Sequence, residues 1–404
     1  MRPLLQDIIS PFQGSFLPGR GTKGNSILAQ EVLHHVNRNT SKVGLVAIKV
    51  DLEKAYDRVN WEFLRQTLLD FRFPVRIINL IMWGVRETSL TILWNGSKLD
   101  HFHPSRGLRQ GDPLSPYLFV LCMEKLSLQI NHRVMKGEWL PITLSRGATL
   151  QAFCMESGLK INLGKSRFLC SKGVSHGRKE DLKVSLGICH TNNLGLYLGF
   201  RTPRGRVTST EFNHLVTQIQ GRLASRKGKL LKKVGRLCLA KSVLAAIPKY
   251  TMQLFWLPQN ICDTIDRLCK ALLWSTSGST SWKEIIKPKS EGGLGMRDTR
   301  AANISLLGSL VWDLLQTTDK PWVQVLTHKY LQQGSILNHS PPPGASYVWR
   351  SINKAALALQ ASFGPRLGTG QSQFWYANWL GTGPLCQQVS FMDIHDSQLR
   401  LLEL

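Results

Sequence analysis

Two stretches of the sequence decide the fold: KVDLEKAYDRV at Lys49–Val59 and SRGLRQGDPLSP at Ser105–Pro116. The first lies in a run rich in Val and Ile, Gly44–Leu52, which predicts a strand buried on both faces. Asp51, at the end of that strand, can present its carboxylate to a divalent metal ion while the strand fixes its position. A strand-ending Asp is more often a cap or a salt-bridge partner, so this motif alone is weak evidence.

The second stretch combines cations with glycines. Arg106 and Arg109 can contact phosphates, and Gln110 can hydrogen-bond along the edge of a nucleotide or a template. Gly107 and Gly111 permit close approach of the backbone to a ligand. The alternative is an ordinary Gly- and Pro-containing loop before a helix, but its length and its position after the first stretch favour a functional loop.

Local signals place these two stretches among helices and one hairpin. Asn60 can cap a helix that begins at Trp61, and Pro74 precedes a second apolar segment. Asn95-Gly96 after an apolar run predicts a hairpin with a type I′ turn. Ser115-Pro116 is a good pair for the N-cap and first position of a further helix.

Charge limits the choice of partner. The 404 residues include 51 Lys and Arg against 26 Asp and Glu, which gives a formal net charge of +25. A compact chain with that imbalance favours a polyanionic partner, with nucleic acid as the leading candidate and an anionic membrane surface as the second. No apolar run approaches the roughly 18 residues of a membrane span, and the first residues lack the apolar region of a signal peptide.

The eight cysteines form no Cys-x-x-Cys pair. This spacing predicts reduced, mostly buried thiols rather than a zinc site. We therefore expect an intracellular protein, nuclear or cytoplasmic, that is not secreted.

From residue 212 to residue 262 the chain contains no acidic residue. The segment predicts binding to nucleic acid without sequence preference, through phosphate contacts. The alternative is that these cations only solvate a helical bundle. The candidate contact residues are Arg222, Arg226, Lys227, Lys229, Lys232, Lys233, Arg236 and Lys241.

The stretch at Lys49–Val59 resembles motif A of the reverse transcriptases of plant LINE-type (non-LTR) retrotransposons, and the stretch at Ser105–Pro116 resembles their motif B. A third stretch, ESGLKINLGKS at Glu156–Ser166, resembles their motif D region. QGSFLPGR, within residues 4–34, is similar to the end of their fingers region. GRLCLAKSVLAAIPKYTM at 235–252 resembles their thumb, and FWYANWLGTGPL at 374–385 resembles the segment before their zinc-binding module.

The resemblance implies an α+β fold: an incomplete right-hand polymerase palm followed by a mostly helical thumb and connection. It implies three regions, with fingers remnant and palm at 1–190, a basic thumb and connection at 191–338, and a Trp-containing tail at 339–404 that leads toward an absent zinc module. In the family, two Mg²⁺ ions support phosphoryl transfer on an RNA template and a DNA primer.

The same resemblance assigns roles to site residues. Asp51 corresponds to a catalytic metal ligand, and Lys165 to a candidate proton donor for the leaving pyrophosphate. Tyr56 would exclude a ribonucleotide. Arg109, Gln110 and Gly111 would line the nucleotide site. The resemblance indicates no role for a membrane and leaves the oligomeric state open.

The chain departs from the family between Ala148 and Thr149, where the family carries a hairpin with an aromatic-Ala-Asp-Asp motif. No Asp-Asp pair occurs in the 404 residues, and Glu180-Asp181 lies in a polar context unsuited to replace it. We therefore expect loss of polymerase activity, and an exposed strand edge where the hairpin is missing. Three interpretations remain open: a working polymerase, a nucleic-acid-binding remnant, or a relic or mis-spliced product without function.

Overall fold

The computed structural model describes most of the chain. The described residues are 2–42, 44–137, 156–202, 207–224, 231–274, 281–316, 319–331, 334–363, 374–376, 385–391, 393 and 395–400. They divide into two compact units, Met1–Arg206 with Lys320–Trp322, and Val207–Asp319 with Val323–Leu404. The division into three regions rests on the family resemblance and stays a prediction.

The first unit mixes helices with short strands, as an α+β fold requires. Its helices are α1 (Arg2–Ile8), α2 (Thr22–Arg38), α3 (Ala55–Arg58), α4 (Trp61–Asp70), α5 (Val75–Arg86), α6 (Ser115–Met135) and α7 (His176–Leu186). Its strands are β1 (Val46–Lys49), β2 (Leu93–Trp94), β3 (Ser97–Lys98), β4 (Arg167–Cys170), β5 (Cys189–His190), β6 (Leu196–Tyr197) and β7 (Phe200–Arg201).

The main sheet has the strand order β1-β4-β5. β1 pairs antiparallel with β4, with Val46 opposite Cys170 and Lys49 opposite Arg167, whereas β5 runs parallel to β4. The predicted strand at Gly44–Leu52 is therefore present but shorter, and it is half-buried rather than buried on both faces. Its position at the end of the described strand order explains the lower burial.

The predicted local elements around β1 are confirmed with one correction. The Asn60 side chain accepts hydrogen bonds from the backbone N–H groups of Glu62 and Phe63, so it caps α4 as expected. Asn95 and Gly96 both have positive φ angles, as a type I′ turn requires. The predicted N-cap Ser115 is instead the first helical residue, because the Asp112 carboxylate accepts the N–H of Leu114 one position earlier.

The larger core of the first unit lies between α4, α5 and α6. Leu64 and Leu68 of α4 are fully buried, and Ile78 of α5 and Leu118 of α6 pack in the same cluster. Each such side chain contributes about 1.5–3 kcal/mol through removal from water. Leu52 and Tyr56, from the segment between β1 and α4, pack against this core. The core therefore positions the candidate site beside α4 and α6.

The second unit is mostly helical. Its α-helices are α8 (Asn213–Ala224), α9 (Lys233–Leu239), α10 (Lys249–Met252), α11 (Gln259–Leu273), α12 (Trp282–Ile286), α13 (Thr299–Leu315), α14 (Pro321–Leu326, whose first residues belong to the first unit) and α15 (Tyr347–Leu359). Short 3₁₀ and π turns connect them, at Ser209–Phe212, Ala240–Leu244, Lys289–Glu291, Thr327–Leu331, Ile336–Asn338, Gln360–Ser362, Leu385–Gln387 and His395–Gln398. Among the residues that the structure describes, no helix combines the length and apolarity that a membrane crossing requires.

The centre of the second unit is tied together by Asn303. Its side-chain amide donates to the carbonyl oxygens of Met252 (3.1 Å) and Phe255 (2.9 Å), and its Oδ1 accepts the N–H of Leu257 (2.8 Å). The Arg300 guanidinium stacks over the Trp256 ring, 4.3 Å from its centroid. This network holds the irregular segment before α11 against α13.

Candidate functional site

Asp51 lies two residues beyond β1, and its backbone is fixed on one side. Its N–H donates to Ser166 Oγ (3.0 Å), and its carbonyl oxygen accepts from the N–H of Asn162 (2.8 Å). Ser166 is completely buried. The Asp51 carboxylate is half-buried and makes no hydrogen bond or ion pair with a described residue, so it is free to bind a cation.

A charged cluster around Glu53 binds the segment at 156–166 to the segment at 51–60. The N–H of Glu53 donates to the Lys160 carbonyl oxygen (2.8 Å), and its carboxylate pairs with Lys160 Nζ (3.3 Å) and Arg58 Nη2 (3.4 Å). Lys160, and after it Arg58, holds the pKa of Glu53 below its usual value. These two cations pair with Glu53, whereas the Asp51 carboxylate has no ion-pair partner among the described residues.

The glycine-rich loop packs directly on the same segment. The N–H of Gly107 donates to the Val59 carbonyl oxygen (2.8 Å), and the N–H of Leu108 donates to the Tyr56 carbonyl oxygen (2.7 Å). The Trp61 indole N–H donates to the Gly107 carbonyl oxygen (2.8 Å). The structure thus brings the three stretches that the sequence singled out, at 49–59, 105–116 and 156–166, into one hydrogen-bonded assembly.

Tyr56 is held at the junction of these stretches. Its ring stacks on that of Phe119 in α6, with centroids 4.7 Å apart and planes 19° apart. Burial raises the pKa of its phenol. The ring is therefore rigidly placed, as a residue that limits space beside a substrate must be.

The remaining nucleotide-site candidates lie on the exposed surface of the loop. Arg109 Nη2 pairs with Asp112 Oδ2 at 3.3 Å, whereas Arg106 and Gln110 are exposed and make no hydrogen bond or ion pair with a described residue. Gly111 has a φ of +93°, and a Cβ there would meet nothing within 4 Å. Its backbone is open to an approaching group.

A cavity of about 610 Å³ opens between this loop and α5. Its walls combine apolar side chains of α5 and α6 with polar groups of the loop. They include Leu80, Ile81, Val85, Leu118, Asp57, Arg106, Arg109, Gln110 and Asp112. The glycine-rich loop at 105–116 therefore borders two open spaces, this cavity and the solvent-exposed surface at Gly111.

Lys165 is exposed and directly precedes Ser166, the residue whose hydroxyl accepts the Asp51 N–H. Its own N–H donates to the carbonyl oxygen and side chain of Asn162, at 3.2 and 3.1 Å. Its ammonium makes no ion pair with a described residue.

The predicted nucleic-acid contacts of the second unit divide into three groups. Arg222, Lys232 and Lys233 are exposed. Arg236 Nε donates to the Leu231 carbonyl oxygen (3.0 Å), and the Lys241 ammonium donates to the Leu294 carbonyl oxygen, so Lys241 holds two segments of its own unit together. Arg226, Lys227 and Lys229 lie outside the described residues, as do Ala148 and Thr149.

Sequence reasoning missed two residues that build the site. Ser166 fixes the Asp51 backbone, and Trp61 fixes Gly107; the only sequence signal for Ser166 was its place in the Lys-Ser pattern that ends the third stretch. Within the part of the chain that the structure describes, no group of three or more His, Cys, Asp or Glu side chains is arranged to hold a metal ion.

Residues 1–146 match the family model described as reverse transcriptase (RNA-dependent DNA polymerase). They include the Asp51 strand and the glycine-rich loop, and the third stretch follows beyond the match. The part of the chain that carries the Asp51 strand and the glycine-rich loop is thus similar to a reverse transcriptase domain, and members of that family generally use divalent metal ions.

The curated relatives place that domain among proteins of non-LTR retrotransposons and plant proteins. The chain is 31% identical over 45% of its length to a putative ribonuclease H protein of Arabidopsis thaliana, and covers 31% of that protein. It is 26% identical over 73% of its length to the uncharacterized 149 kDa protein of transposon TX1 from Xenopus laevis, covering 24% of it.

A retrovirus-related Pol polyprotein from a type-2 retrotransposable element of Drosophila melanogaster is 29% identical over 29% of the chain, which covers 11% of that protein. The chain therefore spans less than a third of the length of each of these relatives. It carries a reverse transcriptase domain like those of non-LTR retrotransposon proteins.

Proposed function

We propose that this chain derives from a plant LINE-type reverse transcriptase and binds nucleic acid without extending a primer. The observation that carries the proposal is that Asp51 is present on a fixed backbone while no Asp-Asp pair occurs in the 404 residues. One carboxylate cannot neutralise and position two divalent ions against the charge of a triphosphate.

The residues present fit part of a metal site. Asp51 offers an unpaired carboxylate on a fixed backbone, and Mg²⁺ is commonly held by one or two carboxylates together with water and substrate phosphates. A bound Mg²⁺ would supply charge neutralisation for a triphosphate. Asp51 would serve as its one protein ligand in this chain.

The other site residues bind and orient a nucleotide in this proposal. Arg109 and Lys165 contact phosphates, Gln110 hydrogen-bonds to the nucleotide or the template edge, and the open backbone of Gly111 permits close approach. Tyr56, fixed against Phe119, crowds the sugar 2′ position. In this proposal the chain still binds a nucleotide, with Lys165 as the candidate proton donor.

Nucleic acid binds through the basic segment of the second unit. The family acts on an RNA template and a DNA primer, and a surface of exposed cations recognises the phosphates of either without sequence preference. The described cysteines are all free thiols, which supports a reducing location inside the cell, nuclear or cytoplasmic. The net charge of +25 favours a nucleic-acid partner in this proposal.

A salt titration tests this binding. The logarithm of the affinity for a labelled duplex should fall with the logarithm of salt concentration, with a slope of about −0.9 per phosphate neutralised. A triple variant, Arg222→Gln, Lys232→Gln and Lys233→Gln, should flatten the slope by up to about 2.7.

The matched control neutralises three exposed lysines outside the 212–262 segment, Lys283→Gln, Lys289→Gln and Lys354→Gln, with the same change in net charge. Equal losses in both triple variants would mean that only bulk charge acts. No binding at low salt would refute the proposal.

A second candidate, a relic or mis-spliced product without function, is favoured by the abrupt departure between Ala148 and Thr149. Cooperative unfolding of the purified chain distinguishes the two, because a chain that has lost its palm strands without replacement should not fold as a unit.

A further inference from the structure

The β2–β3 hairpin carries an apolar face that neither the Asp51 site nor the basic segment of the second unit uses. Side chains opposite each other across an antiparallel pair lie on one face, and successive side chains along a strand alternate between faces. Leu90, Ile92 and Trp94 therefore share a face. Leu99 lies opposite Ile92, whose carbonyl oxygen accepts its N–H (2.9 Å), and Phe102 pairs with Leu90. These five residues are called the hairpin face below.

Most of the hairpin face is open to solvent. Trp94 is 71% exposed and Phe102 is 44% exposed, and Ile92 and Leu99 between them are exposed as well. A contiguous exposed apolar surface of this kind marks an interaction site, and a two-stranded sheet alone is only marginally stable. Leu90, at the inner end of the face, lines the cavity beside the glycine-rich loop. The face therefore runs from the turn of the hairpin to that loop.

The aromatic rings of the hairpin face suit unpaired bases. Trp94 lies four residues along the strand from Leu90, the partner of Phe102, so the two aromatic positions are about 13 Å apart along the hairpin. Exposed aromatic rings stack on the bases of a single strand, and every base offers a ring to stack on. The bases of a duplex are already stacked on one another, so a duplex cannot use these rings in the same way.

The charge around the hairpin face favours a polyanion. Residues 72–109 contain six Lys and Arg and only two acidic residues. The cavity at the inner end is itself balanced, since its charged walls are Asp57, Asp112, Arg106 and Arg109.

The local surplus of positive charge lies outside the cavity. Lys98 is on the hairpin, and Arg76 lies one helical turn before Leu80, the α5 residue that lines the cavity. Lys98, Arg76 and Arg106 are exposed and make no ion pair with a described residue. Phosphates of a bound strand can therefore reach unpaired cations beside the apolar face.

We propose that the hairpin face binds an unpaired stretch of nucleic acid. Bases stack on Trp94 and Phe102, and Arg76, Lys98 and Arg106 contact the phosphates. This surface rests on the proposed nucleic-acid binding and adds to it a site in the first unit that prefers single strands. A duplex binds the basic segment of the second unit instead.

The test compares a single strand with a duplex on the full chain. A fluorescent oligothymidylate of about 12 nucleotides lies within the span of a single-strand site and cannot pair with itself. Trp94→Ala should weaken its binding by about 5- to 100-fold, the loss expected for one stacked base. The affinity for a labelled duplex should not change. The same strand carrying 4-thiothymidine should crosslink under light to the peptide that contains Trp94.

Two control variants separate stacking from a general loss of apolar surface. Leu93→Ala removes a side chain that is 67% exposed on the opposite face of the same hairpin, where Leu93 pairs with Lys98. It should leave both affinities unchanged. Trp94→Phe keeps a ring that can stack, so it should retain most of the affinity for the single strand. Thermal unfolding checks that all three variants fold.

The outcomes distinguish this site from the proposed function. If the duplex still binds while Trp94→Ala leaves single-strand affinity unchanged, or Leu93→Ala loses as much, only the hairpin site is refuted. If neither the single strand nor the duplex binds, the proposed function fails together with it. Light scattering that shows a dimer dissociated by Trp94→Ala would assign the face to a second copy of this chain and overturn the proposal.

Discussion

Replacing Gly107 with alanine should strongly destabilise the first unit. Gly107 has a φ of +92°, a conformation that costs an L-residue about 1–2 kcal/mol. A Cβ at this position would lie 2.8 Å from the backbone carbonyl oxygen of Asp57. That oxygen cannot move away freely, because the hydrogen bonds of Gly107 to Val59 and of Leu108 to Tyr56 hold the two segments together.

The clash adds about 1–3 kcal/mol, as overpacking in a well-packed region does. The total expected loss for Gly107→Ala is therefore about 2–5 kcal/mol in the free energy of unfolding. Gly111→Ala is the matched control, since its φ of +93° carries the same strain while a Cβ there meets nothing within 4 Å. It should lose only about 1–2 kcal/mol.

Urea unfolding, followed by tryptophan fluorescence of the chain and by hydrogen exchange at the amides of the first unit, measures both variants. The difference between them isolates the contact of the loop with Asp57. If the two variants lose equal stability, the loop does not pack against the Asp51 segment as described, and the assembly of the three stretches is refuted.

Three further predictions concern the second unit and the gene. Burial, and after it the Asp298 carboxylate, raises the pKa of Asp266 to about 7 from its ordinary 3.8, so the folded chain keeps a proton that the unfolded chain has lost. The free energy of unfolding should therefore fall as pH rises from about 4 to about 7. At pH 8 the Asp266→Asn variant should have a free energy of unfolding about 1–2 kcal/mol above that of the wild type, after allowance for solvent screening. Exposed Asp263→Asn is the control, and a free energy of unfolding that does not change over this pH range would contradict the assignment. Asn303→Ala, which removes three buried hydrogen bonds, should cost about 2–4 kcal/mol in the same assay, whereas Ser305→Ala on the exposed face of α13 should cost little. Genomic sequencing between codons 148 and 149 should reveal coding sequence for an aromatic-Ala-Asp-Asp hairpin, and contiguous codons would rule out an intron there.

Local chemistry made several elements predictable from the sequence. Asn60 caps α4 and Asn95-Gly96 forms the hairpin turn, because each depends on a few neighbouring residues. The sequence singled out the three stretches through their resemblance to family motifs, and hydrogen bonds join them in the structure.

Long-range contacts were not predictable. The burial of Ser166 beneath Asp51, and the bond from Lys241 to Leu294, join residues far apart in the sequence. The half-burial of β1 likewise depends on which strands lie beside it. The number of Lys and Arg residues in the segment does not show that Lys232 is exposed. Nor does it show that the Lys241 ammonium hydrogen-bonds to a carbonyl oxygen of its own unit.

Primer extension is the most direct test of the central claim, that this chain keeps the Asp51 site without being able to polymerise. The purified chain is given an RNA template, an annealed DNA primer, deoxynucleotides and Mg²⁺ or Mn²⁺. No extended primer is expected. Template-dependent incorporation that disappears in the Asp51→Ala variant would contradict the account, because it would mean that another carboxylate completes the metal site.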